Sequence, residues 1–148
     1  MEKKLVFLTI IMMSCFFIGC KKAPINEKIE GHWLVESITT LEDNETTYPY
    51  RLYYGIGRTL TELFEKQGNL GLGRYLCRTE YRENETVLVL KDFVIRVDSG
   101  DKGETPTREK LEPYGIINPQ ETVFNVLKST RKRLVIESDW ARIELKRF

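Results

Sequence analysis

The chain predicts an all-β domain: a small up-and-down antiparallel barrel of about eight strands, with a two-sheet sandwich as the alternative. Three observations carry this. In 141–146, Ala141, Ile143 and Leu145 share one parity and Arg142, Glu144 and Lys146 the other, the pattern of a strand with one buried face. Turn signals rich in Gly, Asn, Asp or charged residues recur at short intervals, at 42–45, 66–69, 83–85 and 129–132. No stretch sustains a helical stripe for more than two turns. Closing the sheet also removes strand edges that would otherwise pair between molecules.

In chain order, the first stretch is not part of that domain. Lys3 and Lys4 precede an uncharged, mostly apolar run from Leu5 to Gly19, which is the make-up of a secretory signal and short for a membrane span. Its last four residues, Phe17-Ile18-Gly19-Cys20, resemble the lipobox of bacterial lipoproteins, with Phe17 where Leu is usual. That resemblance implies cleavage after Gly19, a diacylglycerol on the Cys20 thiol and an acyl chain on its freed amine. Each buried methylene contributes about 0.8 kcal/mol, so two or three chains anchor essentially permanently. The expected organisation is a signal over 1–19, a lipidated tether over 20–28 and a barrel domain over 29–148.

The tether is polar, contains Pro24 and carries lysines able to touch anionic headgroups. The first strand runs from Gly31 to Thr40, with Trp33 and Val35 on one face. Four of the seven tyrosines fall in 48–54, where Pro49 argues against a central strand. Residues 59–65 fit either a helical stripe or a strand, and the following Gly68 turn favours the strand. A strand from Leu70 to Arg82 places Tyr75, Cys77 and Tyr81 on one parity. Residues 87–90 and 93–97 are two short strands, or one long strand bulged at Lys91-Asp92. The polar stretch 98–120, with Pro106, Pro113 and Pro119, is long for a compact domain and reads as a disordered crossing or a loop with a task. Strands over 121–128, 134–137 and 141–146 complete the series.

Charge and cysteines bound the function. The chain has 23 Lys and Arg against 22 Asp and Glu, and removing 1–19 leaves the two signs equal, so nothing calls for a nucleic-acid partner. Cys15 leaves with the signal and Cys20 is the lipid site, so Cys77 has no intramolecular disulfide partner and reads as a buried apolar residue. One histidine, His32, one thiol and no recognisable carboxylate pair supply no parts for metal or nucleophile chemistry. A non-enzymatic protein without cofactor or metal is expected.

The order of pieces also carries a resemblance. A lipobox, a tether, Gly31-His32-Trp33 opening the first strand, Phe64 and Gly68 in a hairpin, and paired C-terminal strands resemble the lipocalin-like lipoproteins of Bacteroidota. The resemblance implies that Trp33 plugs one end of the barrel under a basic residue from a late strand, Arg142 or Arg133. The disulfide and the long helix of secreted lipocalins are absent from the pattern.

Other candidates are weaker. Gly55-Ile56-Gly57-Arg58 and Gly71-Leu72-Gly73-Arg74 lack the Lys-Ser/Thr ending and helix of a phosphate loop, and read as bends. Tyr48, Tyr50, Tyr53 and Tyr54 are candidate ligand-lining residues at a barrel mouth, since rings give apolar area and hydroxyls give orientation. Arg131-Lys132-Arg133 reads as a basic hairpin tip able to contact lipid heads. The leading expectation is a lipid-anchored envelope protein binding a small apolar ligand. The alternative is an accessory subunit binding another envelope protein through its outer surface or the 98–120 loop. Lys21 and Lys22, standing where a surface-export signal would be acidic, point to the periplasmic face of the outer membrane.

Overall fold

The computed structural model describes residues 25–68, 70–101 and 103–148; the signal, Cys20 and the tether up to 24 lie outside them. Its strands are β1 (Gly31–Thr40), β2 (Thr46–Thr47), β3 (Leu52–Ile56), β4 (Leu60–Glu65), β5 (Arg74–Arg82), β6 (Val87–Val97), β7 (Gly100–Asp101), β8 (Glu121–Ser129), β9 (Arg133–Glu137) and β10 (Ala141–Arg147). One α-helix is described, α1 (Arg108–Leu111). Eight strands pair antiparallel in the circular order β1, β3, β4, β5, β6, β8, β9, β10, and the two-residue β2 and β7 are appended to β1 and β6. The deciding pairing is β1 with β10, from Trp33 opposite Arg147 to Thr40 opposite Ala141. It closes the sheet, so the fold is a barrel and not a sandwich.

Turn chemistry sets the hairpins. Gln67 and Gly68 both take left-handed φ, 78° and 61°, the twist that tight hairpins favour. Gly71 and Gly73 are also left-handed, at 66° and 83°, so the chain cannot extend through them and β5 starts at Arg74, not at Leu70. The 87–97 stretch is one strand with a kink. Asp92 has φ 56°, and the inward parity switches there from Leu88 and Leu90 to Phe93 and Ile95.

The 98–120 stretch is ordered where described, and it has a structural task. After α1, a 3-10 turn over Glu112–Tyr114 ends at Gly115 in left-handed φ 80°. A Cβ at Gly115 would lie 2.7 Å from Ile143 Cδ1, so only glycine lets the turn sit this deep. Leu111, Tyr114 and Ile116 thereby enter the barrel with at most 1% exposure. The segment is laced to β6 by Ile95 N–H donating to Glu104 O at 2.9 Å and Phe93 N–H to Pro119 O at 3.1 Å.

Inside, Trp33, Tyr54, Leu63, Leu88, Leu90, Phe124, Ile136 and Ile143 expose nothing. A side chain lining a water-sized void would keep some accessible surface, so the interior around these residues is solid.

Candidate functional site

Two ends and one outer wall carry the features of interest. At the end where β1 begins, Trp33 is fully buried and its Nε1–H donates to Ile29 O at 2.7 Å. The cation over its ring is Arg147, 4.0 Å from the ring centre. Arg147 also donates to Glu30 O at 2.6 Å, Glu27 O at 3.1 Å and Arg131 O at 3.1 Å, so carbonyl dipoles solvate it in place of a carboxylate, and burial lowers its pKa. The expected partners Arg142 and Arg133 are corrected by alternation. Arg147 shares the inward parity of Ile143 and Leu145, whereas Arg142 points outward to Glu137 at 2.6 Å and Arg133 to Glu36 at 2.6 Å. Gly31 is explained by the same contact: at φ 141°, a Cβ there would overlap the Arg147 guanidinium.

At the opposite mouth, Tyr114 is the plug. Its hydroxyl donates to Gly73 O at 2.7 Å, its carbonyl accepts from the Tyr54 hydroxyl, and its ring meets Tyr75 edge-on at 5.6 Å. Burial raises the pKa of Tyr54 and Tyr114, which keeps both as neutral donors. Below them Cys77 donates to Thr61 O at 3.6 Å, and desolvation pushes its thiol well above the ordinary range.

The four tyrosines part company. Tyr54 is in the core. Tyr53, the preceding residue, faces outward by alternation and is covered by Phe64, stacked at 5.4 Å, and Phe148, edge-on at 5.1 Å. Tyr48 and Tyr50 are 78% and 62% exposed, so neither lines the interior. Pro49 keeps their segment out of the sheet, where the β1–β3 ladder ends at Leu34 opposite Tyr53. Tyr48, Tyr50 and Tyr53 instead border an outer hollow of about 540 Å³, with Glu36, Arg133 and Glu144 as its charged wall. Tyr50 carries the Arg51 guanidinium 4.8 Å from its ring centre. Among the described residues no three His, Cys, Asp or Glu side chains group as a metal site.

Sequence reading missed Arg147 and Tyr114. Parity along 141–147 was the signal for the first. For the second it was the apolar trio Leu111, Tyr114 and Ile116 inside an otherwise polar loop.

An eight-stranded up-and-down barrel, plugged at one end by a tryptophan under an arginine, defines the lipocalin-like class. The chain belongs to the family described as the lipocalin-like domain, whose model matches residues 12–148. A solved lipocalin-like protein from Bacteroides uniformis is similar in structure, with TM-score 0.56 at 12% identity over 82% of this chain and 99% of that one. An uncharacterized protein from Bacteroides eggerthii gives TM-score 0.57 at 12% identity over 80% of this chain and 98% of that one. At this identity the likeness is one of fold. No curated protein matches the chain.

Proposed function

We propose that the chain is a lipid-anchored, non-enzymatic binding protein of the cell envelope, held through Cys20 on the periplasmic face of the outer membrane, which engages an envelope partner with its outer wall. The observation that carries the reading is a contrast between inside and outside. The interior is occupied by the chain's own Trp33 and Tyr114, whereas Tyr48 and Tyr50 stand in solvent beside the Glu36–Arg133 pair. Exposed rings at the rim of a hollow give large contact area at low entropic cost. The expected loop contact contracts accordingly, because Leu111, Tyr114 and Ile116 are committed to the core. A photo-crosslinker placed at Tyr50 in the full-length protein tests this in intact envelopes. One discrete partner, absent when the crosslinker stands at Glu121 on the far wall, supports it; identical patterns from both positions defeat it.

A second reading has its own support: the mouth is closed by one continuous segment, not by the barrel wall. Lifting 104–116 would free the space of Leu111, Tyr114 and Ile116 for a small apolar ligand. Native mass spectrometry of protein taken from the envelope decides, since a carried apolar molecule favours this reading and a bare mass the first.

A further inference from the structure

The end of the barrel that faces the bilayer, and what it touches there, follow from where the chain enters. Residues 25–30 form a tight turn against the Trp33 end: Ile29 and Glu30 N–H donate to Asn26 O at 3.1 and 2.8 Å. Arg147 clamps that turn through the carbonyls of Glu27 and Glu30. Five residue steps lead from Cys20 to Ile25, a reach of at most about 18 Å. The β6 strand of 11 residues, tilted as barrel strands are, makes the body about 28 Å tall. The tether therefore presents the Trp33 end to the membrane.

On that end lies a hollow of about 680 Å³ whose lining carries charges of both signs, Lys28 and Arg131 with Glu27 and Glu85. Arg147 is at its edge, but its guanidinium is spent on Trp33 and the three carbonyls. Arg131 and its neighbour Lys132, at the β8–β9 tip, are exposed and have no carboxylate partner among the described residues, whereas Arg74, Arg82, Arg133 and Arg142 on the wall are each paired. A purely anionic partner would meet Glu27 and Glu85; a group carrying both a phosphate and a primary ammonium can satisfy both signs of charge in the lining.

We propose that this hollow seats a phosphoethanolamine headgroup of the bilayer, with Arg131 and Lys28 on the phosphate and Glu27 and Glu85 on the ammonium. The inference rests on the anchoring reading above. It fixes the protein's orientation, with the 98–120 segment and the β9–β10 turn directed away from the membrane.

The test is amide hydrogen exchange on the full-length, lipidated protein in vesicles of phosphatidylethanolamine, of phosphatidylcholine and of phosphatidylglycerol, against detergent. Amides of 26–28 and 130–132 should slow in phosphatidylethanolamine vesicles, and those of 138–140 should not. Arg131→Glu and Glu85→Lys should each cut that protection by at least about fivefold, since each removes one surface charge's worth of attraction and adds a like charge. Equal protection in phosphatidylcholine or phosphatidylglycerol, indifference to both substitutions, or protection at 138–140 overturns the headgroup site. An N-terminal peptide whose mass shows no lipid on Cys20 overturns the anchoring reading and this inference together, so the two failures are told apart.

Discussion

The Arg147 guanidinium lies 4.0 Å from the centre of the Trp33 ring while Gly31, two residues earlier, leaves room for it. One contact therefore joins the first barrel strand, the last one and the entering chain. Removing the cation leaves the carbonyls of Glu27, Glu30 and Arg131 without a donor. Arg147→Met should cost about 2 kcal/mol, and Arg147→Lys should recover only part of that, since an ammonium cannot reproduce the planar fork. Gly31→Ala should cost at least about 2 kcal/mol from overlap and φ strain combined. Denaturant midpoints of the three variants check the order.

Tyr114 supplies bulk and a hydrogen bond, and the two are separable. Tyr114→Phe loses only the donation to Gly73 O and should cost about 1 kcal/mol. Tyr114→Ala should cost about 3–5 kcal/mol and leave a void that takes up xenon or benzene, which the native interior excludes. A variant as stable as the parent, or one that stays closed to the probe, would mean the segment collapses into the gap.

Glu83, Asn84 and Glu85 all adopt left-handed φ, at 51°, 53° and 66°. Asn occupies this region at lower cost than the two glutamates. Glu83→Gly should therefore stabilise the protein by up to about 1 kcal/mol, readable as a rise in melting temperature.

Glu80 binds Lys91 and Arg82, and its carboxyl is held near 2, below the ordinary 4.5. A depressed native value means that the stabilisation is complete above the ordinary value and is lost as pH falls from about 4.5 toward 2. Glu80→Gln should thus be less stable than the parent at neutral pH, with the gap closing toward pH 2. The ion pairs are exposed, so the gap should also shrink in molar salt; urea titrations at several pH values measure both effects.

Cys77 is buried with a raised thiol pKa. Iodoacetamide at pH 8 should leave it unmodified in the folded protein and label it fully in denaturant, as mass spectrometry will read.

Most strands were legible because alternation and turn residues act locally. Gly31–Thr40 and Ala141–Arg147 coincide with the expected elements within a residue, since a buried face imposes period two wherever a sheet has one dry side. Leu70 was misread as strand because its apolar side chain fits the pattern, while the paired left-handed glycines after it set the backbone. Which of the clustered tyrosines face the core was not legible, because composition does not say which way neighbours point: Tyr53 and Tyr54 end on opposite sides of the wall.

The sequence by itself determined an all-β chain, the order of its main strands and the place of Trp33 in the first of them. Only the tertiary structure decided that β1 pairs with β10, that Arg147 covers the indole, and that Leu111, Tyr114 and Ile116 fill the mouth. The physical reason is range. Alternation and turn preference are written in a few neighbouring residues, but closure and plugging depend on contacts between segments far apart in the chain, whose shapes meet only once the sheet has curled.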